Sequence, residues 1–424
     1  MKRKSVTADA SHPTKSSLQG RLPMIDVVVD TRAELWDIVI RTGLQVLEAM
    51  LEEDRRQVCG PRYHHDATRR AVRGGTVPSS VVLGGRKVVV RRPRVRGVHG
   101  EVPLPTFAAL ANSDALTRRT VEHMVLGVST RRYARSLEPL PAGVVGRSTS
   151  KSAVSRRFVA RTRAQLQAWQ ARPLDELSLS VIYIDALRFA RECVVIALGV
   201  DDTGHKHVLG VWDGSTENAT VCEGLLANLV ERGLQVRRSV LVVLDGSKAL
   251  RKAVDQAWGA AAWVQRCQVH KLRNVLSYLP PARQSAARAT MQRAYRSTDA
   301  VGARRQLETL ARQLDDAYPS AAASLREGLE ETLTVLSLHV GGTLRRALAT
   351  TNTIECLIGR LRVVHRNVKR WRNRQMILRW DVAGVLEAVK GFNRCRGHQD
   401  IRAIVTALRA RDERLGLTSA PKAA

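Results

Sequence analysis

The sequence predicts an α/β fold: a mixed-sheet core carrying an α-helical insertion, preceded by a mainly helical N-terminal region. Three observations predict it. Residues 179–185, 192–201, 206–212, 239–245 and 261–266 are short apolar runs, set apart by turn signals such as Asp201-Asp202-Thr203-Gly204 and Asp213-Gly214. Helical periodicity fits 217–233, 247–258 and 268–279, so three strands in succession precede the first helix and two more alternate with helices. Residues 282–345 are rich in Ala, Arg, Leu, Gln and Glu, with little strand character.

That order fits a mixed sheet of the ribonuclease-H type better than an all-parallel doubly wound sheet. In chain order, residues 1–20 read as a flexible basic arm opening on Met1-Lys2-Arg3-Lys4. Residues 21–113 form a helical and β-hairpin region. Within it, 31–60 is an amphipathic helix ending at Cys59-Gly60-Pro61, and Val81-Val82-Leu83, Gly84-Gly85, Lys87-Val88-Val89-Val90 is a hairpin. Pro93 argues for a strand end or edge. That basic hairpin suits either a nucleic-acid surface or an edge strand protected by charge.

Residues 114–175 read as three helices. Val121, Met124, Val125 and Val128 mark the first, and Tyr133 and Leu137 the second, before Pro139 and Pro141. Ser129 is placed to cap the second. The third opens on small polar and basic residues, Ser148-Thr149-Ser150-Lys151-Ser152-Ala153-Val154-Ser155-Arg156-Arg157. This suits a helix-turn-helix whose last helix, with Lys151, Arg156 and Arg157, enters a DNA groove; a basic helical hairpin is the plainer alternative. The core's first part spans 176–281 and closes at Pro280-Pro281, the insertion spans 282–345, and the core's last part spans 346–412. There a long helix is expected to carry Glu355 and the basic block after it, with one or two closing helices over 381–412 and a disordered tail over 413–424.

The 424 residues are 44% apolar and 25% charged, with a net charge of +30 and an isoelectric point near 11.1. Such a balance calls for a polyanionic partner, because Lys and Arg displace counterions from phosphates. Its spread over several folded segments favours nucleic acid over an acidic protein or membrane surface. The six cysteines are scattered with no Cys-x-x-Cys pair, which fits a reducing compartment and excludes a disulfide scaffold. No apolar run approaches the roughly 18 residues of a membrane span.

Three carboxylates carry the chemistry. Asp185 ends the run Leu179–Ile184, Asp245 ends Val240–Leu244 before Gly246, and Glu355 lies in Thr351-Asn352-Thr353-Ile354-Glu355. Two rigid strand-end aspartates and a helical glutamate can hold two Mg²⁺ ions (Mn²⁺ can substitute) beside a phosphodiester, with Asp185 as the bridging candidate. Asp201, Asp202 and Asp213 read as turn residues. Ser215 or Thr216 with Glu217 reads as a helix start. Asp245-Gly246-Ser247-Lys248 lacks the glycine spacing of a phosphate-binding loop. Cys267 and His270 share a helical face and read as active-site support rather than a closed zinc site. Between 355 and 380 stand eight Lys/Arg and a single acid, Glu355. Arg360, Arg362, Arg366, Lys369, Arg370, Arg372 and Arg374 can line a DNA channel, with His365 and Trp371 as stacking surface.

The blocks YIDALRFA (183–190), LGVWDGSTEN (209–218), VLDGSKALRKAV (243–254), VQRCQVHKLRNVLSYLP (264–280) and TTNTIECLIGRLRVVHRNVKRWRN (350–373) carry a resemblance. The chain resembles bacterial insertion-sequence transposases of the Mutator-type DDE family. The resemblance implies a ribonuclease-H-like core, a catalytic triad at Asp185, Asp245 and Glu355, and the family's Cys-x-x-His signature at Cys267 and His270. It further implies binding to double-stranded DNA, both the element's terminal inverted repeats and the target. Mg²⁺-dependent strand cleavage and strand transfer by a homodimer or larger homo-oligomer at the nucleoid of the bacterial cytoplasm would follow. A catalytically inactive DNA-binding regulator descended from such an enzyme is the alternative expectation.

Overall fold

The computed structural model describes residues 17–22, 25–30, 35–64, 66, 68–69, 71–189, 192–214, 219–234, 236 and 238–417. The chain divides between Arg161 and Thr162 into two compact units.

The first unit begins with the antiparallel pair β1 (Ser17–Leu22) and β2 (Ile25–Asp30), so the expected arm gives way to a strand before Gly20. Residues 1–16 lie outside the described residues. Helix α1 (Leu35–Cys59) follows as expected and buries Ile40, Leu47 and Leu51. The hairpin of β3 (Ala71–Leu83) and β4 (Arg86–Gly97) is far longer than its apolar centre suggested. Gly84 and Gly85 at its tip have φ of +56° and +81°, the left-handed pair that a tight two-residue turn needs. Pro93 lies inside β4 rather than at its end. It is tolerated because β5 (Gly100–Glu101) and β6 (Gly146–Arg147) pair only with the two ends of β4, leaving its middle an edge.

Helices α2 (Pro105–Ala111) and α3 (Asp114–Val125) follow, then α4 (Lys151–Ala171). The second of the three helices expected over 114–175 does not form. Its place holds a single 3₁₀ turn, Ala134–Ser136. Tyr133 is fully buried and donates to the Gly85 carbonyl at 2.8 Å, and Pro139 and Pro141 deny the segment the amides a longer helix requires. Ser129 accepts from the Arg132 amide at 3.3 Å and so caps a turn.

The second unit holds a five-stranded sheet of β7 (Leu179–Phe189), β8 (Glu192–Asp201), β9 (Lys206–Gly214), β10 (Val240–Leu244) and β11 (Ala262–Arg266). Their spatial order is β11-β10-β7-β8-β9. The first three strands are antiparallel neighbours, and β10 runs parallel to both β7 and β11. The sheet is mixed, as the order of elements predicted. Helices α5 (Ala219–Glu231) and α6 (Lys248–Trp258) cover one face through Leu225, Leu229, Leu250 and Val254, packed on Ile182, Ile184, Val240 and Val242. The expected start of α5 at Ser215–Glu217 lies outside the described residues.

Strand β11 leads into α7 (Gln268–Ser277), and then α8 (Pro281–Arg296), α9 (Ala300–Leu314), α10 (Pro319–Arg326) and α11 (Leu329–Leu333) form the helical insertion. With α7 they enclose a core of their own, including Leu276, Met291, Leu307 and Leu325. The other sheet face carries Val181, Tyr183, Leu187, Leu241 and Val243. It is covered by α12 (Gly342–Leu348), α13 (Asn352–His365), α14 (Arg374–Val389) and α15 (Ile401–Leu415). The long helix expected to carry Glu355 and the whole basic block is therefore two helices. It breaks after His365, and Asn373 restarts it by accepting from the Met376 amide at 2.9 Å.

Candidate active site

Side chains alternate across a strand. Val181, Tyr183 and Leu187 on β7, and Leu241 and Val243 on β10, all enter the core beneath α13. The same two-residue period carries Asp185 and Asp245 to that face. Leu244 pairs with Ile184 in the parallel ladder, so Asp245 emerges beside Asp185. Asp185 does not end its strand, as its sequence suggested. Strand β7 continues to Phe189, which pairs with Glu192 of β8. Asp245 does stand just past the end of β10, where Gly246 at φ +112° turns the chain into α6 and the Ser247 amide donates to Asp245 Oδ1 at 2.8 Å.

Asp185 is 8% exposed and accepts from the Ala186 amide at 2.8 Å. Burial and repulsion from Asp245 lift its carboxyl to about 7. Glu355 also adds to that repulsion, and His270 opposes it. Helix α13 is anchored by Ile354, Leu357, Ile358 and Leu361, all buried, which leaves Glu355 partly exposed on its flank. The three carboxylates named from sequence are thus near enough for Asp245 and Glu355 both to act electrostatically on Asp185.

Cys267 and His270 join them. His270 Nε2 lies 4.0 Å from Glu355 Oε1. Burial works to raise the Cys267 thiol, but hydrogen bonds from His270 and Thr351 outweigh it and hold the thiol below its usual range. The hydrogen bond to Cys267 lifts His270 to about 9. Cys267 is fully buried, which removes it as a nucleophile toward a bulky substrate. All six cysteines are free. Among the described residues no three His, Cys, Asp or Glu side chains form a ready-made metal cage.

Thr351 was missed. It is fully buried, and its hydroxyl donates to Glu355 Oε1 at 2.7 Å. Only its spacing, four residues before a helical glutamate, could have flagged it.

The basic block divides by the partners its side chains find. Arg362, Arg366, Lys369, Arg370 and Arg372 are exposed. Arg360, exposed as well, donates to the carbonyls of Ala388 at 2.7 Å and Gly391 at 3.5 Å, closing the end of α14. His365 is no stacking surface: it is buried and hydrogen-bonded through Nε2 to Asp381 Oδ1 at 2.5 Å. Trp371 is half-buried against Phe189 and His365, with ring centres 5.3 and 5.1 Å away, so it anchors the loop. Of the turn aspartates, Asp201 and Asp202 lie at the β8–β9 turn, and Asp213 in β9 faces Arg374 at 3.6 Å.

In the first unit Lys151 and Arg156 are exposed on α4. Arg157 is not available in the same way, since it donates to Thr120 Oγ1 at 2.7 Å and to the Ser148 carbonyl. It ties α4 to α3. Among the described residues no helix is long and apolar enough to cross a membrane.

The profile of a family described as "Transposase, Mutator family" matches residues 21–393. The transposase for insertion sequence element IS256 in transposon Tn4001 of Staphylococcus aureus is 28% identical over 323 residues, 74% of this chain and 80% of that protein. The transposase for insertion sequence element ISRM5 of Rhizobium meliloti (strain 1021) is 30% identical over 325 residues, 75% of this chain and 79% of that protein.

Proposed function

Because the chain belongs to the Mutator family of transposases, we propose that its second unit is a ribonuclease-H-like DDE core. In this reading it cleaves DNA strands at the ends of an insertion sequence and joins the freed 3′-hydroxyl to a target phosphodiester. The observation that carries it is that Asp185 and Asp245 stand side by side on two neighbouring interior strands, with Glu355 near enough to add to the electrostatic burden on Asp185. The order β11-β10-β7-β8-β9, with β7, β8 and β9 antiparallel neighbours and β10 parallel to both β7 and β11, supports the core assignment.

Three carboxylates are an all-oxygen donor set of the kind Mg²⁺ or Mn²⁺ takes, and a divalent cation would offset the burial and the repulsion that lift Asp185. Asp185, Asp245 and Glu355 would hold the metal. Bound there, it supplies Lewis-acid polarisation of the phosphodiester and a more acidic water or hydroxyl nucleophile. The chain's own groups do the rest. The sheet and α13 hold the acids in fixed relation. Arg362, Arg366, Lys369, Arg370 and Arg372 grip DNA phosphates beside them. His270 places a positive charge against the acids. In the first unit Lys151 and Arg156 on α4 contact the terminal inverted repeats. One active site for each of two element ends implies a homodimer or larger assembly.

The test uses the full chain, a labelled duplex bearing the candidate element end, and Mg²⁺. Asp185→Asn, Asp245→Asn and Glu355→Gln should each lose cleavage and keep duplex binding in a gel-shift assay. Wild-type cleavage by any of the three would remove that residue from the triad. Tight binding without cleavage by the unaltered protein would favour the inactive DNA-binding regulator instead.

A further inference from the structure

We propose that Thr351 is a positioning residue that orients the Glu355 carboxylate, and that Cys267 and His270 serve the site by holding Thr351. The proposal rests on the reading of Glu355 as an active-site acid.

Thr351 stands at the N-cap of α13, where a threonine ordinarily turns its oxygen onto an amide of the first turn. No such side-chain bond is made here. A hydroxyl has one proton to donate, and the 2.7 Å contact to Glu355 Oε1 is by far its shortest. Its oxygen then faces His270 Nδ1 at 3.4 Å, and its backbone amide donates to Cys267 Sγ at 3.4 Å. Cys267 is tied in turn to the sheet, because its amide donates to the Leu244 carbonyl at 2.7 Å, one residue before Asp245. The Gln268 amide donates to the Ala349 carbonyl at 2.9 Å, which draws the start of α7 onto the segment leading to Thr351.

These bonds form a continuous bridge from the end of β10, through Cys267 and Thr351, to Glu355. The bridge matters because Asp245 and Glu355 are separated in the chain by the whole helical insertion. Packing of α13 places the Glu355 backbone, but its side chain is long, flexible and 37% exposed. A buried hydroxyl on one carboxylate oxygen removes that freedom. It also gives the Cys-x-x-His pair a purpose that needs neither metal binding nor nucleophilic attack.

The experiment compares the full-length unaltered protein with Thr351→Val, Thr351→Ser and Glu355→Gln. It reads thermal midpoint, duplex binding, single-turnover cleavage of the element-end duplex, and Mn²⁺ affinity of the DNA-free protein by calorimetry. Thr351→Val keeps the branched shape and lacks the hydroxyl. It should bind duplex normally, while cleavage at saturating DNA and Mn²⁺ affinity each fall about 10- to 100-fold, the usual cost of losing a second-layer partner. Thr351→Ser should recover most of both. Unaltered cleavage or Mn²⁺ affinity in Thr351→Val, or a serine variant as impaired as the valine one, overturns the proposal. Wild-type cleavage by Glu355→Gln would instead show that the reading of Glu355 had failed. Should Thr351→Val not fold, Thr351→Ala decides by the same criteria.

Discussion

Asp245 leaves β10 beside Asp185 on β7, one residue beyond the pairing of Leu244 with Ile184. Two-residue alternation then turns both carboxylates toward the face that α13 covers. The arrangement opposes folding locally, since burial and the neighbouring acid lift Asp185 to about 7. Active sites commonly hold such stress for the sake of a ligand.

Removing one charge should therefore stabilise the protein when no divalent cation is present. Asp185→Asn is expected to gain about 1–2 kcal/mol over the unaltered chain in metal-free buffer. Mg²⁺ at ten times its dissociation constant should add about 1.4 kcal/mol to the unaltered protein and much less to the variant. Denaturant unfolding with and without Mg²⁺ measures both. An equal Mg²⁺ response in the two proteins would rule out Asp185 as a ligand.

The basic block should separate into charges that meet DNA and a charge that holds the fold. Lys369, Arg370 and Arg372 are exposed on the loop between α13 and α14. Replacing all three with Ala should lower the slope of log affinity against log salt by up to about 2.7, at about 0.9 per phosphate contact. Arg360→Ala should leave the slope unchanged and cost about 1–3 kcal/mol of stability through the carbonyls of Ala388 and Gly391. Filter binding across a salt series, with parallel urea melts, distinguishes the two. A flat response to the triple substitution would place the DNA elsewhere.

His365 and Asp381 form a buried pair, with Asp381 fully enclosed. Burial pushes the Asp381 carboxyl up, with His365 pulling the other way. Asp381→Ala leaves the His365 ring without that partner inside the core, for a loss of about 1–3 kcal/mol in chemical denaturation. Wild-type stability in this variant would mean that the pair contributes nothing to holding α14 against α13.

Asp201 sets an acid limit on the β8–β9 turn. Burial works to raise its carboxyl, but hydrogen bonds from His207, Thr203 and the His205 amide outweigh it and bring it down to about 2. A carboxyl depressed in the folded state adds stability above its unfolded value, and that stability is lost as pH falls through the folded one. The contribution should be present above pH 4 and vanish between about pH 4 and 2. Asp201→Asn should flatten the acid limb of the stability profile in that window. An acid limb identical to that of the unaltered protein would exclude the assignment.

Most of the core's order was legible in the chain. The bounds of β8 were read to the residue, and those of β10, β11, α6 and α7 to within two, because period-2 and period-3.6 patterns are local properties of sequence. Glu355 as the lone acid of a basic run, and the aspartates at 185 and 245 after apolar runs, were visible for the same reason. Three features were not. The second helix of the N-terminal trio failed because burial of Tyr133 against Gly85 and the prolines after it overrode weak local periodicity. The basic helix broke because Trp371 and His365 are held by Phe189 and Asp381, partners more than 170 residues and 16 residues away along the chain. Thr351 stayed hidden because nothing in its neighbours discloses Cys267 or His270 across the insertion. Charge, period and the identity of the acids are written along one dimension. Which side chains meet, and so which arginine is taken up by backbone carbonyls, follows from packing that brings distant segments into contact.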